Sequence, residues 1–159
     1  MEARMTQPAV LFPEAMKALY ALHGTAEKSG LSKTTIGLVE VRASQINGCS
    51  VCIDMHCRFL KNEGETDERL FAIAAWRDAP YFTDAERNAL ALTEALTRIE
   101  PQGVSDEIWN EASRFYDERA LAGLIIAIAN INVWNRLNVA TRQVAGEWIK
   151  SQASQTVAR

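Results

Sequence analysis

Ser44-Gln45-Ile46-Asn47-Gly48-Cys49-Ser50-Val51-Cys52-Ile53-Asp54-Met55-His56-Cys57 holds all three cysteines and one of the two histidines of this 159-residue chain. Asn47-Gly48 reads as a break between helices. A helix that starts near Ser50 carries Cys52 and His56 one turn apart on one face. Cys49 and Cys52 then fall at its first turn, where unpaired N–H groups and the macrodipole favour a thiolate. The stretch thus supplies two thiols at disulfide spacing, a lowered thiol pKa and a base within reach.

Outward from this stretch the pattern is helical. Upstream, Phe12-Pro13 opens a helix that Gly30 closes. Ser32 caps a second, with apolar residues on several faces, as expected of a deeply buried helix. The cysteine helix ends at Asn62-Glu63-Gly64. Thr66 caps a fourth helix that Asp78-Ala79-Pro80 breaks. Thr83-Asp84-Ala85-Glu86 is a capping box for a fifth, which Pro101-Gln102-Gly103 stops. Ser105 starts a sixth and Asp117 the last, whose apolar face is interrupted by Asn130, Asn132, Asn135 and Asn138. No stretch alternates as a strand does. The expected fold is all-α, about seven helices in one domain over 1–159, with a loose arm at 1–11 and a polar tail from Ser151. Broad apolar surface on the fourth, sixth and last helices suggests an oligomer.

Composition narrows the function. Hydrophobic residues make up 48% and charged residues 23%, with a net charge of −3 and no basic block. Nucleic acid is therefore not an expected partner. The first residues lack an apolar signal region, and the run from Ala120 to Ala129 is too short to span a bilayer. No membrane role and a cytoplasmic location are expected, where clustered cysteines suggest metal or redox chemistry.

Four readings of the cysteine cluster stand open. Cys49, Cys52 and Cys57 as buried packing residues is the plainest. A zinc site using both C-x-x-C cysteines, His56 and Cys57 lacks the second ligand pair that structural zinc usually joins. A thioredoxin-like enzyme needs a strand before the motif. A helical dithiol peroxidase or disulfide reductase needs a thiolate, a resolving thiol and a proton shuttle, which Cys49, Cys52 and His56 supply between them. Cys57, about 100° further round the helix than His56, reads as a bystander. Met55 reads as core packing and His23 as an ordinary histidine. Arg42 and Glu40 read as solvated or paired charges, although an arginine seven residues before the motif could also fix its loop.

The segment Arg42–His56 resembles the signature of the AhpD-like alkylhydroperoxidases, in the carboxymuconolactone decarboxylase superfamily. So do Gly64-Glu65-Thr66, Ala75–Pro80, Ala89–Thr97 and Asn130–Leu137, and the resemblance covers about residues 12–142. It implies an all-α fold, homo-trimers or hexamers, and thiol-dependent reduction of hydroperoxides with an external dithiol as reductant and no metal or organic cofactor. By the same resemblance Cys52 attacks the peroxide, Cys49 resolves and His56 belongs to the proton relay. The family's relay glutamate, twelve residues before the first cysteine, is here Gly37. Glu40, three residues on, is the candidate replacement, and the reading favours its pointing to solvent. A contact from Asp54 or Asn47 is the other substitute, and a glutamate restored at position 37 is expected to raise turnover. The alternative function is a dithiol–disulfide oxidoreductase or redox sensor. A non-catalytic reading makes the protein a helical binding protein with a vestigial pair.

Overall fold

The computed structural model describes residues 2–99, 101 and 103–147. Among them every regular element is helical: α1 (Pro8–Leu11), α2 (Pro13–Glu27), α3 (Lys33–Asn47), α4 (Ser50–Asn62), α5 (Asp67–Ala72), a 3-10 turn (Ile73–Ala75), α6 (Asp84–Arg98), α7 (Asp106–Phe115) and α8 (Glu118–Thr141). The starts read from sequence hold. The hydroxyls of Ser32, Thr66 and Ser105 and the carboxylate of Asp117 each accept from the backbone N–H of the third residue of their helix. Thr83 and Glu86 form the full reciprocal capping box.

Two differences have local causes. Part of the expected loose arm forms α1, because the Gln7 side chain caps Val10 and the arm is fastened to the end of α8. Arg4 N donates to Thr141 O at 2.9 Å, and Gln143 Nε2 donates to Met5 O at 2.9 Å. The fourth expected helix is shorter, passing from α5 into the 3-10 turn before Trp76. The tail from Ser151 lies outside the described residues.

Helix α3 is the centre of the bundle, against α4, α6 and α8. Its apolar residues therefore divide among three cores. Ile36 and Val39 join Leu92, Leu124 and Ile128, whereas Leu38 and Val41 join Leu60, Ile73, Trp76 and Leu90. Ala43 joins Cys49, Cys52 and Ile131 in the third. Each fully buried Leu or Ile contributes about 1.5–3 kcal/mol.

Helix α8 is long and apolar enough, by length and composition, to cross a membrane. In this fold half of that segment is buried against the other helices. Its asparagines form a polar seam inside the bundle. Asn47 Nδ2 donates to Asn132 Oδ1 at 2.9 Å and to Asn135 Oδ1 at 2.8 Å, and Asn135 Nδ2 donates to Ser44 Oγ at 3.0 Å. These bonds fasten α8 to α3 just ahead of the cysteines.

Candidate functional site

The turn that delivers the cysteines is built by glycine. Gly48 ends α3 in the left-handed conformation, at φ 69°, where a side chain would be strained. Cys49 N donates to Ser44 O at 2.9 Å, which closes the turn and places Cys49 as the N-cap of α4. Cys49 Sγ accepts from Cys52 N at 3.4 Å. The two cysteines form a disulfide with a Cα–Cα separation of 5.4 Å, and both are buried. Asn138 of α8 donates from Nδ2 to Cys52 Sγ at 3.3 Å.

The carboxylate favoured for solvent is inside. Glu40 is 4% exposed and meets two histidines. Its Oε2 lies 2.9 Å from His56 Nδ1 on α4, and its Oε1 lies 3.2 Å from His23 Nδ1 on α2. Burial alone would raise the Glu40 carboxyl. The facing charge of His56 and the hydrogen bonds from both histidines overcome that and bring it down to about 2. His23 is raised, chiefly by its hydrogen bond to Glu40. A bond from His56 Nδ1–H to Glu40 leaves Nε2 as the nitrogen that can accept a proton.

Gly37 explains the displaced carboxylate. A Cβ built there would come within 2.6 Å of Leu60 Cδ2, so Leu60 fills the space that a longer side chain would need. The absence of a side chain lets α4 pack close to α3, and Glu40, one turn on, reaches the histidine instead. The other two candidate substitutes have partners of their own: Asn47 bonds to the α8 seam, and Asp54 pairs with Arg58 at 2.9 Å.

Two openings lie beside α4, one along its second half and one at its start. A cavity of about 250 Å³ is lined by His23, Gly37, Glu40, His56 and Phe59. Another, of about 510 Å³, is lined by Cys49, Ser50, Asn138 and Arg142. Cys57 is half-buried among the second core's residues, and its thiol is raised by burial and then by the charge of Asp54. Met55 lies on the same helix, partly buried.

Arg42 is paired within the fold. It donates to Glu94 Oε1 from Nε at 2.8 Å and to Gln45 Oε1 at 3.2 Å. Trp76 Nε1 donates to the same Glu94 oxygen at 2.9 Å, and Arg77 and Arg98 bind its other oxygen. The arginine thus braces the last turn of α3, which leads into the cysteine turn.

Sequence reasoning missed His23 and Asn138 as neighbours of the site. His23 offers only a weak signal, a histidine four residues before Glu27 on α2. Asn138 is more visible, as the last of four asparagines in an apolar helix.

This geometry, a dithiol at a helix start with a histidine one turn on in an all-helical frame, defines an AhpD-like protein. The chain belongs to the carboxymuconolactone decarboxylase family, whose sequence profile matches residues 13–95. It is 36% identical over 128 residues to the uncharacterised protein YdfG of Bacillus subtilis, covering 80% of this chain and 87% of YdfG. A solved structure from Agrobacterium tumefaciens, of a protein of unknown function proposed to be the antioxidant defence protein AhpD, is 33% identical. It superimposes with a TM-score of 0.84, covering 91% of this chain and 98% of that one. A variant of the debrominase Bmp8, solved in complex with 2,3,4-tribromopyrrole, has a TM-score of 0.76 at 18% identity, over 91% of this chain and 77% of Bmp8. That likeness is one of fold alone.

Proposed function

We propose that the protein is a thiol-dependent peroxidase that reduces organic hydroperoxides. The observation that carries this reading is the buried Glu40 held 2.9 Å from His56 Nδ1, one helical turn from a C-x-x-C disulfide. A purely structural disulfide needs no oriented base one turn along its helix.

The steps balance on these residues. The Cys52 thiolate attacks the terminal oxygen of the hydroperoxide. The O–O bond breaks as an S–O bond forms, and the alkoxide leaves as alcohol with a proton from His56. Cys49 then attacks the Cys52 sulfur of the sulfenic acid. The S–S bond forms, and hydroxide leaves as water with the Cys49 proton. In this reading the Cys49–Cys52 disulfide is the product of that step. An external dithiol reduces it by exchange, which returns both thiols and oxidises the reductant to its own disulfide, and the Cys52 thiol then passes its proton to His56 to restore the thiolate. Glu40 fixes the His56 tautomer through the contact to Nδ1. No metal or organic cofactor enters these steps.

A cytoplasmic location and homo-oligomeric assembly belong to the same proposal. Exposed Phe12, Tyr20, Phe71 and Ile99 supply apolar surface for such contacts.

The test is consumption of an organic hydroperoxide by purified protein with a small dithiol, beside Cys52→Ser. Wild-type turnover and none in the variant supports the reading. Equal rates refute it. No turnover in either, with the disulfide still cycling, would favour dithiol–disulfide exchange with a protein partner, for which the opening beside Cys49 supplies access.

A further inference from the structure

We propose that Asn138 is a further catalytic residue, whose side-chain amide holds the Cys52 sulfur in its deprotonated form. The inference rests on the dithiol chemistry above. It adds a group from α8 that the C-x-x-C pattern does not contain.

The contact has one chemical sense. A disulfide sulfur bears no hydrogen, so it can only accept, and the amide must present Nδ2 to it. The N–H donor lies 3.3 Å from Cys52 Sγ. Cys52 is fully buried, and burial alone would push its thiol up once the disulfide is opened. The backbone N–H of Cys52 is directed to the other sulfur, Cys49 Sγ. Asn138 is therefore the donor aimed at the sulfur that must become the nucleophile.

Asn138 also differs from its neighbours on the seam. The amides of Asn132 and Asn135 fasten α8 to Thr97 and to Ser44. Among the described residues the Cys52 sulfur is the one acceptor of the Asn138 amide. A buried amide with a disulfide sulfur as its acceptor contributes little to the resting fold, because neutral sulfur accepts weakly. A thiolate at the same place makes this a charge-assisted bond, roughly twice as strong as a neutral one. The position is fixed before any charge forms. The Asn138 backbone carbonyl accepts from Gln143 N at 3.0 Å at the end of α8, where Arg142 caps the helix.

The experiment titrates Cys52 as the sole cysteine, in a Cys49→Ser, Cys57→Ser background, by the ultraviolet absorbance of the thiolate. Asn138→Leu keeps approximate shape and removes the donor, and Asn138→Ala removes it without added bulk. Either should raise the Cys52 pKa by about one unit, which is tenfold less thiolate at a pH below it. In the otherwise native protein, any turnover lost should return as pH is raised by the same interval. An unchanged Cys52 pKa in a folded variant overturns the proposal, and so does loss of folding in both variants, which would make the amide structural. The titration uses no peroxide. A wild type without hydroperoxide turnover would remove the peroxidase reading and leave the pKa result to decide this one.

Discussion

Glu40→Gln keeps the outline of the side chain and removes its charge. In the native protein one oxygen faces His56 at 2.9 Å and the other faces His23 at 3.2 Å. Glutamine can offer its oxygen to only one of them. With the oxygen toward His23, the new NH₂ faces His56 Nδ1, which must then become an acceptor. The proton moves to Nε2, and the nitrogen left for proton transfer is no longer a base. The reverse placement leaves His23 facing the NH₂ and removes the carboxylate that raises its pKa. The fall of the Glu40 carboxyl from its ordinary 4.5 to about 2 corresponds to on the order of 3 kcal/mol in favour of the charged form. We expect the variant to lose about 1–3 kcal/mol of stability by urea unfolding near pH 6, since one hydrogen bond to a charge is lost and another weakened. Hydroperoxide turnover should fall by about a hundredfold, the lower range for a displaced general acid or base. Turnover within twofold of wild type, in a folded variant with the expected stability loss, would refute the relay.

The same cluster predicts a pH window. Glu40 titrates below its ordinary 4.5, so its stabilising contribution is complete above that value and is lost as pH falls toward about 2. His23 titrates above its ordinary 6.5, so its contribution is complete below 6.5 and is lost as pH rises through the folded value. Urea midpoints should show this contribution fullest between pH 4.5 and 6.5, and His23→Gln should remove the alkaline decline; an unchanged decline would contradict the pairing. Gly37→Glu should lower stability by about 1–3 kcal/mol without raising turnover, because Leu60 occupies the space. A gain in turnover would show that a carboxylate at 37 can still serve. Cys57→Ser should leave turnover unchanged, and the Cys57 thiol should alkylate more slowly in folded than in unfolded protein; rapid alkylation of the folded form would contradict its raised pKa.

The helices were legible because their signals are local. Ser32, Thr66, Thr83, Ser105 and Asp117 each act within one turn, and each starts a helix. The break at Asn47-Gly48 is equally local. The arm at α1 was not legible, since its anchors lie at Thr141 and Gln143, at the other end of the described chain. The inward placement of Glu40 was hidden for a related reason. Helix α3 is apolar on several faces, so periodicity does not say which face a lone acid occupies. Only the placement of α2 and α4 against it shows that Glu40 points between two histidines. The Asn138 amide is likewise defined by a contact across 86 residues.

The Cys49–Cys52 bridge joins residues only three apart. Cross-links stabilise a protein chiefly by restricting the unfolded chain, and they do so more as the closed loop lengthens. A bridge this short restricts little that the start of α4 does not already order. The caps, the two larger cores and the bonds of Asn132 and Asn135 hold the architecture without the sulfur atoms. Electrons can therefore pass in and out of the pair while the frame stays at nearly constant stability. The oxidation state is a local variable of one helix start, and repeated cycling need not bring the chain closer to unfolding.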